Sequence, residues 1–353
     1  MGQVIALKRV EVEEVPKEVI KEVIDLSPRT LDSLIMRSKE IESLCEDYTV
    51  KKANSSNIRF NESAGVTFIP TDDKDIQHLP LSRYALGQLC NKIGVPTRYI
   101  DKCVDSGRID LARDNVNSWL EDYNKDLFLR EYDGRIRGVL SSKYSVCDSH
   151  EILKVLDDVV DLSRYKIKGS FLNEERLHLR LIGREMLPID GEDLFAGLFI
   201  NSSDVGRSIL TVQFGIYKQV CTNGLVISKA GGTLFEQKHI GISADEFHQG
   251  FVASLNKIDT LTEHAVELIE VARSKNSGYK HTMTTEDFDN FINTIKVATN
   301  LSTESATKVV DLMRTKYDNS KWGLINSITE VAQDFTLERR LELEKIAGNL
   351  LAS

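Results

Sequence analysis

The chain reads as an α+β protein, with a central antiparallel or mixed β-sheet between a helical N-terminal region and a helical C-terminal region. Three observations predict this. Apolar residues recur at helical spacing up to about residue 125, alternate from 126 to 243, and return to helical spacing from 244 onward. Turn residues such as Asp133–Gly134 punctuate the middle stretch where hairpins need them. A 41% hydrophobic and 28% charged composition, with six prolines in 353 residues, belongs to a chain that folds over most of its length. Four segments follow: a helical extension over 1–60, a helical region over 61–125, a β-rich core over 126–243 and helices over 244–353.

Residues 15–46 read as helix, with Ser27–Pro28 as cap and first position of its second part. Residues 48–70 have room for a short strand pair. In "LSRYALGQLCNKIGVPTRYIDKCVDSG", Tyr84, Leu86, Leu89 and Ile93 share one helix face; Gly94 stops that helix and Pro96 opens the next. "LARDNVNSWLEDYN" adds a further helix. "LFLREYDGRIRGVL" is two strands around Asp133–Gly134, a pair suited to a type I′ turn because both central residues need positive φ. "DSHEILKVLDDVV" is a helix capped by Asp148 or Ser149. Two more strand pairs follow, over 165–182 and across the turn Asn201–Gly206. In the last strand Leu210, Val212, Phe214 and Ile216 form the core face, and Asn223–Gly224 reads as the turn after it. Three amphipathic stretches from 244 onward complete the chain. Trp322, Ile325, Ile328 and Val331 lie at helical spacing, as a docked helix requires, and any spare apolar surface on it suits a homo-oligomer.

A net charge of −9 and a pI near 5.4 exclude a protein that coats DNA through bulk charge, but leave room for a local basic face. Cysteines at 45, 90, 103, 147 and 221 are odd in number and never at C-x-x-C spacing, so they read as reduced thiols. No apolar run reaches the roughly 18 residues of a membrane helix. The N-terminus lacks a signal-peptide core, and Ala6 stands where a myristoylation signal needs Ser or Thr.

The strongest candidate site is the hairpin 165–182. Lys166, Lys168 and Ser170 alternate with Ile167, Gly169 and Phe171, and Arg176, His178 and Arg180 alternate with Leu177, Leu179 and Leu181. One side is apolar and the other basic. Such a face tracks phosphates, with Tyr165 and Tyr217 as stacking platforms and Arg135, Arg137, Lys143 and Tyr144 in the same region. The competing reading is a solvated sheet face, because antiparallel sheets commonly leave one side wet. Cys221 reads as a structural thiol; His178 and His239 are the bases to inspect beside it. No metal motif and no phosphate-binding glycine loop is present, so no metal, cofactor or catalytic residue is expected.

"LSRYALGQLCNKIGVPTRYID", "REYDGRIRGVLSSKYSVCD", "GLFINSSDVGRSILTVQFGIYKQVCTNGLVI" and "WGLINSITEVAQD" resemble the phage and plasmid proteins gathered as domain of unknown function 932. The most specific element is "NSSDVG…VCTNGL", where Asn201, Gly206, Cys221, Asn223 and Gly224 preserve turns. The resemblance implies a phage or plasmid gene expressed in the cytoplasm of a bacterial host, and brings no catalytic residues with it. The expected function is binding of single-stranded nucleic acid, as a recombination or replication accessory of the strand-annealing type. The alternative is a non-enzymatic module that binds and inhibits a host defence or replication factor, favoured by the acidic total charge.

Overall fold

The computed structural model describes residues 30–72, 75–161, 163–218, 223–226, 233–238, 244–255, 257–280 and 282–353. Ser27–Pro28, Cys221 and His239 lie outside them. Among the described residues, helices and three antiparallel sheets give an α+β fold with helices on both the N-terminal and C-terminal sides of the main sheet.

The first sheet joins β1 (Cys45–Ala53), β5 (Lys125–Tyr132) and β6 (Arg135–Ser141) in the order β1-β5-β6. It shortens the expected N-terminal helix. α1 is Leu31–Ser43, its first turn capped by the Thr30 hydroxyl, which accepts from the Ser33 amide. From Cys45 the backbone instead pairs with β5, from Cys45 opposite Tyr132 to Val50 opposite Leu127, and this long-range ladder overrides local helix preference. Asp133 and Gly134 both have positive φ, as the I′ turn between β5 and β6 demands.

β2 (Ile58–Phe60), β3 (Gly65–Phe68) and β4 (Gln77–Pro80) form a small second sheet. α2 (Arg83–Ile93) follows, capped by Ser82 and ended by Gly94 at φ +74°, then α3 (Thr97–Asp105) and α4 (Ile109–Glu121). Their apolar sides meet Val50, Leu127 and Leu129 in a core that spans residues 50–139. The helical segment expected over 61–125 therefore contains strands, and β5 and β6 share its core.

The large sheet has the order β11-β10-β9-β8-β7, with β12 also paired to β10. Its strands are β7 (Tyr165–Leu172), β8 (Arg176–Met186), β9 (Leu194–Ser203), β10 (Leu210–Lys218), β11 (Asn223–Val226) and β12 (Thr233–Gln237). Asn201 lies within β9 opposite His178, so the loop is 204–209. Lys218 pairs with Asn223 and Tyr217 with Gly224, so Asn223–Gly224 open the return strand and are not the turn.

Leu177, Leu179 and Leu181 of β8, Leu198 and Ile200 of β9, and Val212, Phe214 and Ile216 of β10 all turn into the second core. There they join Leu34 of α1, Ile152 and Leu156 of α5 (Ser149–Val159), Phe251 of α6 (Ala244–Leu255), Ile269 of α7 (Ile258–Ser274) and Ile292 of α8 (Thr285–Thr299). Val309 and Val310 of α9 (Thr303–Thr315), Ile325 and Ile328 of α10 (Lys321–Val331), and Leu343 and Ala347 of α11 (Leu337–Leu351) complete it. Each buried Leu or Phe contributes roughly 1.5–3 kcal/mol relative to exposure, and a one-residue slip of β8 would drive His178 and Arg180 inward instead. Trp322 docks here and donates to Glu192 at 2.9 Å, so this stretch keeps its apolar side inside the fold. No described helix is long and apolar enough to cross a membrane.

Candidate nucleic-acid interface

The other face of the large sheet carries the basic residues. Register places Arg176, His178 and Arg180 beside Asn201 and Phe199 of β9, and these beside Gln213 of β10, with Phe195 opposite Tyr217. β7 joins this face through a bulge between Ile167 and Gly169. Lys166 pairs with Ile182 before it and Phe171 pairs with His178 after it, so Phe171 shares the polar face while Ser170 is buried opposite Leu179. The extra residue is the reason the strict alternation expected for this strand fails. Four cations lie over four rings on this one face: Lys166 over Phe195 at 5.3 Å, Lys168 over Tyr217 at 5.2 Å, Arg176 over Phe171 at 5.5 Å and Arg180 over Phe199 at 5.3 Å.

The face is not wholly open. Arg180 donates to Glu344 of α11 at 2.7 Å, Arg340 donates to the same carboxylate at 3.0 Å, and Glu344 is fully buried. His178 donates from Nδ1 to Asn201 Oδ1 at 2.5 Å, and its Nε2 accepts from Arg180 Nε at 3.2 Å. That pattern requires a neutral ring. Burial first, then the Arg180 charge, lower its pKa to about 3. His178, Arg180 and Tyr217 are thus inside the protein, Arg180 under Glu344 of α11 and Tyr217 packed with Ile182 and Phe195, and this burial corrects the expectation that they meet a ligand directly. Tyr165 pairs with Gly183 and packs against the core on the opposite face, so it forms no joint platform with Tyr217.

The remaining candidates diverge in the same way. Arg135 is half exposed, 3.3 Å from Glu174. Arg137 is buried: it donates to the Glu174 carbonyl and lies 3.7 Å from Asp204. Tyr144 is half-buried, stacked on Phe128, with its hydroxyl donating to the Ser203 carbonyl at 3.1 Å. Lys166, Lys168 and Arg176 keep partial or full exposure.

Arg137 belongs to a buried charge cluster where the two cores meet, whose other members the sequence did not single out as a site. Arg130 of β5 uses all five N–H groups: two on Asp47 (2.9 and 3.1 Å), two on Asp148 (2.6 and 2.7 Å) and one on the Asp204 carbonyl (2.7 Å). Burial alone would lower its pKa; Asp148, then Asp47, outweigh that and raise it. Asp204, from the "NSSDVG" stretch, accepts from the Ser149 amide and hydroxyl at the start of α5, at 3.1 and 2.8 Å. Three carboxylates share two guanidiniums, and Asp204 is the most deeply buried. Burial, then Asp148, push its pKa up to about 7.

That raised value has a consequence for stability. An unfolded Asp titrates near about 3.9, so the folded chain holds the extra proton between there and neutrality. The stabilisation is fully present below about pH 4 and is lost as pH rises through about 7. Buried neutral His178 acts in the opposite sense, removing stability as pH falls from its unfolded range towards about 3. The measurement is therefore a difference: Asp204→Asn should gain stability relative to its parent from pH 5 to pH 8, by on the order of 1–3 kcal/mol in urea titrations. A difference that stays constant with pH would sink this account.

Among the described cysteines, Cys90, Cys103 and Cys147 are buried and Cys45 is partly buried. Burial pushes the Cys45 thiol up to about 11 and the Cys147 thiol up to about 12, away from the thiolate a nucleophile needs. Among the described residues, no group of three or more His, Cys, Asp or Glu side chains could hold a metal ion. The family model with the description "Domain of unknown function (DUF932)" matches residues 137–348, more than half of the chain. No curated protein and no solved structure matches it.

Proposed function

The chain belongs to the family described as Domain of unknown function (DUF932), and we propose that it binds single-stranded nucleic acid along β7 and the adjoining polar face of its large sheet. The observation that carries this reading is the row of ring-backed cations. Lys166 and Lys168 lie over Phe195 and Tyr217 on an edge strand, and neither has a carboxylate partner among the described residues. In a chain of net charge −9, two such lysines beside Arg176 make a local attraction for phosphates. The rings sit beneath the cations and hold them in place. Binding is therefore led by phosphates and tolerant of sequence, as an accessory of the strand-annealing type requires, in the phage or plasmid setting that the resemblance implies.

Fluorescence anisotropy with labelled single-stranded and duplex oligonucleotides, over a salt series, tests this directly. Replacing Lys166, Lys168 and Arg176 with Ala should weaken single-strand binding and flatten the log–log salt slope by about 2, at roughly 0.7 for each phosphate no longer neutralised. An unchanged slope would remove the surface from consideration. No binding by the parent protein would transfer the reading to a host protein partner, for which α4 offers Trp119 and Leu111, 58% and 48% exposed on the same helix. A pull-down from host lysate would then be the discriminating measurement.

A further inference from the structure

A second candidate site is lined by none of Lys166, Lys168 and Arg176. α2, the end of β6 and the loop after β9 enclose a groove of about 660 Å³, within the roughly 300–1,000 Å³ of small-molecule sites. Three of its lining residues are cations, Lys92, Arg207 and Lys238, and none is a carboxylate. Lys92 has no acidic partner among the described residues and sits near another cation, Lys125, which, after burial, lowers its pKa. A half-buried ammonium set against a second positive charge is stabilised most by an anion.

The groove is built before any ligand arrives. Gln88 ties its walls together, donating to the Val205 carbonyl at 2.9 Å and accepting from the Val139 amide at 2.8 Å. Arg207 is held over the Tyr84 ring at 5.2 Å, bonded to Glu175 at 2.9 Å, and its backbone amide donates to Ser203 at 2.9 Å. Gly206 has φ +73°, and a Cβ there would stand 3.0 Å from Leu140 and 3.6 Å from Tyr144. Only glycine brings the loop this close to the wall. The lining also carries the apolar surfaces of Leu140, Ile209 and Tyr144, alongside Asn91, Ser141 and Ser208.

We infer that this groove binds a nucleotide phosphomonoester, with the phosphate among Lys92, Arg207 and Lys238 and the base against Leu140, Ile209 and Tyr144. The phosphomonoester comes either from a free nucleotide or from the phosphorylated end of a strand. This site does not depend on the reading of the sheet face, and its residues are different ones.

Calorimetric titration of the full chain with AMP, adenosine, pyrophosphate, and a short oligonucleotide with and without a 5′-phosphate tests it. The expected result is binding of AMP or of the phosphorylated strand, with adenosine or the unphosphorylated strand at least about tenfold weaker, since charge-assisted bonds to phosphate supply the difference. Binding of both identifies either source; binding of the phosphorylated strand alone identifies a strand end. Lys92→Gln should weaken binding by about tenfold. Ser208→Phe, at an exposed lining position, should block the groove while leaving all three cations. Alanine at Lys166 and Lys168 should leave AMP binding intact, so failure here and failure of the sheet-face reading are separate results. The inference is overturned if neither AMP nor the phosphorylated strand binds, if pyrophosphate binds as well as AMP, or if both groove variants bind like the parent.

Discussion

Arg130→Met is expected to destabilise the protein by about 3–5 kcal/mol, the usual cost of removing one partner from a buried ion pair. Arg130 is 1% exposed and its five donors meet five acceptors on three different segments. It stands in β5, within the sheet of the first core, and grips Asp148 at the head of α5 and the Asp204 carbonyl after β9, both at the second. Its loss leaves Asp47 and Asp148 without their shared counter-ion and removes the bolt between the two cores. Arg130→Lys should rescue little, because a single ammonium cannot bind two carboxylates bidentately. Urea denaturation measures the loss. A cost below about 1 kcal/mol would mean that the cluster is wetter than its geometry implies.

Glu344→Ala is expected to have a comparable effect, about 3–5 kcal/mol, by stranding Arg180 beneath α11. The Arg180 side chain is 6% exposed, and Glu344 is its only carboxylate partner among the described residues. His178 Nε2 accepts one bond from Arg180 but carries no compensating charge. The paired apolar replacement Arg180→Met with Glu344→Leu should recover most of the loss, since it leaves no fully buried charge unpaired: Arg340, the other partner of Glu344, keeps 22% of its side chain exposed. Hydrogen exchange along α11 gives a second readout: amides of 341–350 should lose protection in the single variant and regain it in the double. Retained protection and parental stability in Glu344→Ala would remove the clamp from the account.

Much of this architecture was legible in the sequence where the signal is local. Asp133–Gly134 announces its turn because positive φ at two successive positions suits few residues. The alternation of Leu177, Leu179 and Leu181 marks the face of β8 that enters the apolar core, since successive side chains turn to opposite sides, although His178 and Arg180 on the other side are buried as well. The bulge at Lys168 is invisible for the opposite reason. Its extra residue keeps both lysines on the polar face, so the pattern before it looks unbroken, and Gly169, Ser170 and Phe171 change sides. The strand pair expected within 48–70 is there as β2 and β3, but the start of β1 at Cys45 and its pairing with β5 were hidden, because that partner lies about 80 residues on.

The candidate site was legible by composition and not by accessibility. Arg176, His178 and Arg180 read as one basic row, and they are one row. Nothing near them in the sequence says that a carboxylate at 344 closes over two of them. The buried cluster was missed likewise: Asp47, Arg130, Asp148 and Asp204 come from four separate segments, each of which looks like an ordinary surface charge until the fold joins them.

The Arg180–Glu344 pair also sets an order on synthesis. The partners are 164 residues apart, so at translation rates of about 5–20 residues per second Arg180 is synthesised roughly 8–30 s before its carboxylate exists. During that interval β8 has every apolar contact of its own sheet within reach but a guanidinium with no counter-ion on the other side. The nascent sheet must stay hydrated on that face, and its basic row is open to any polyanion nearby until α11 arrives to close it.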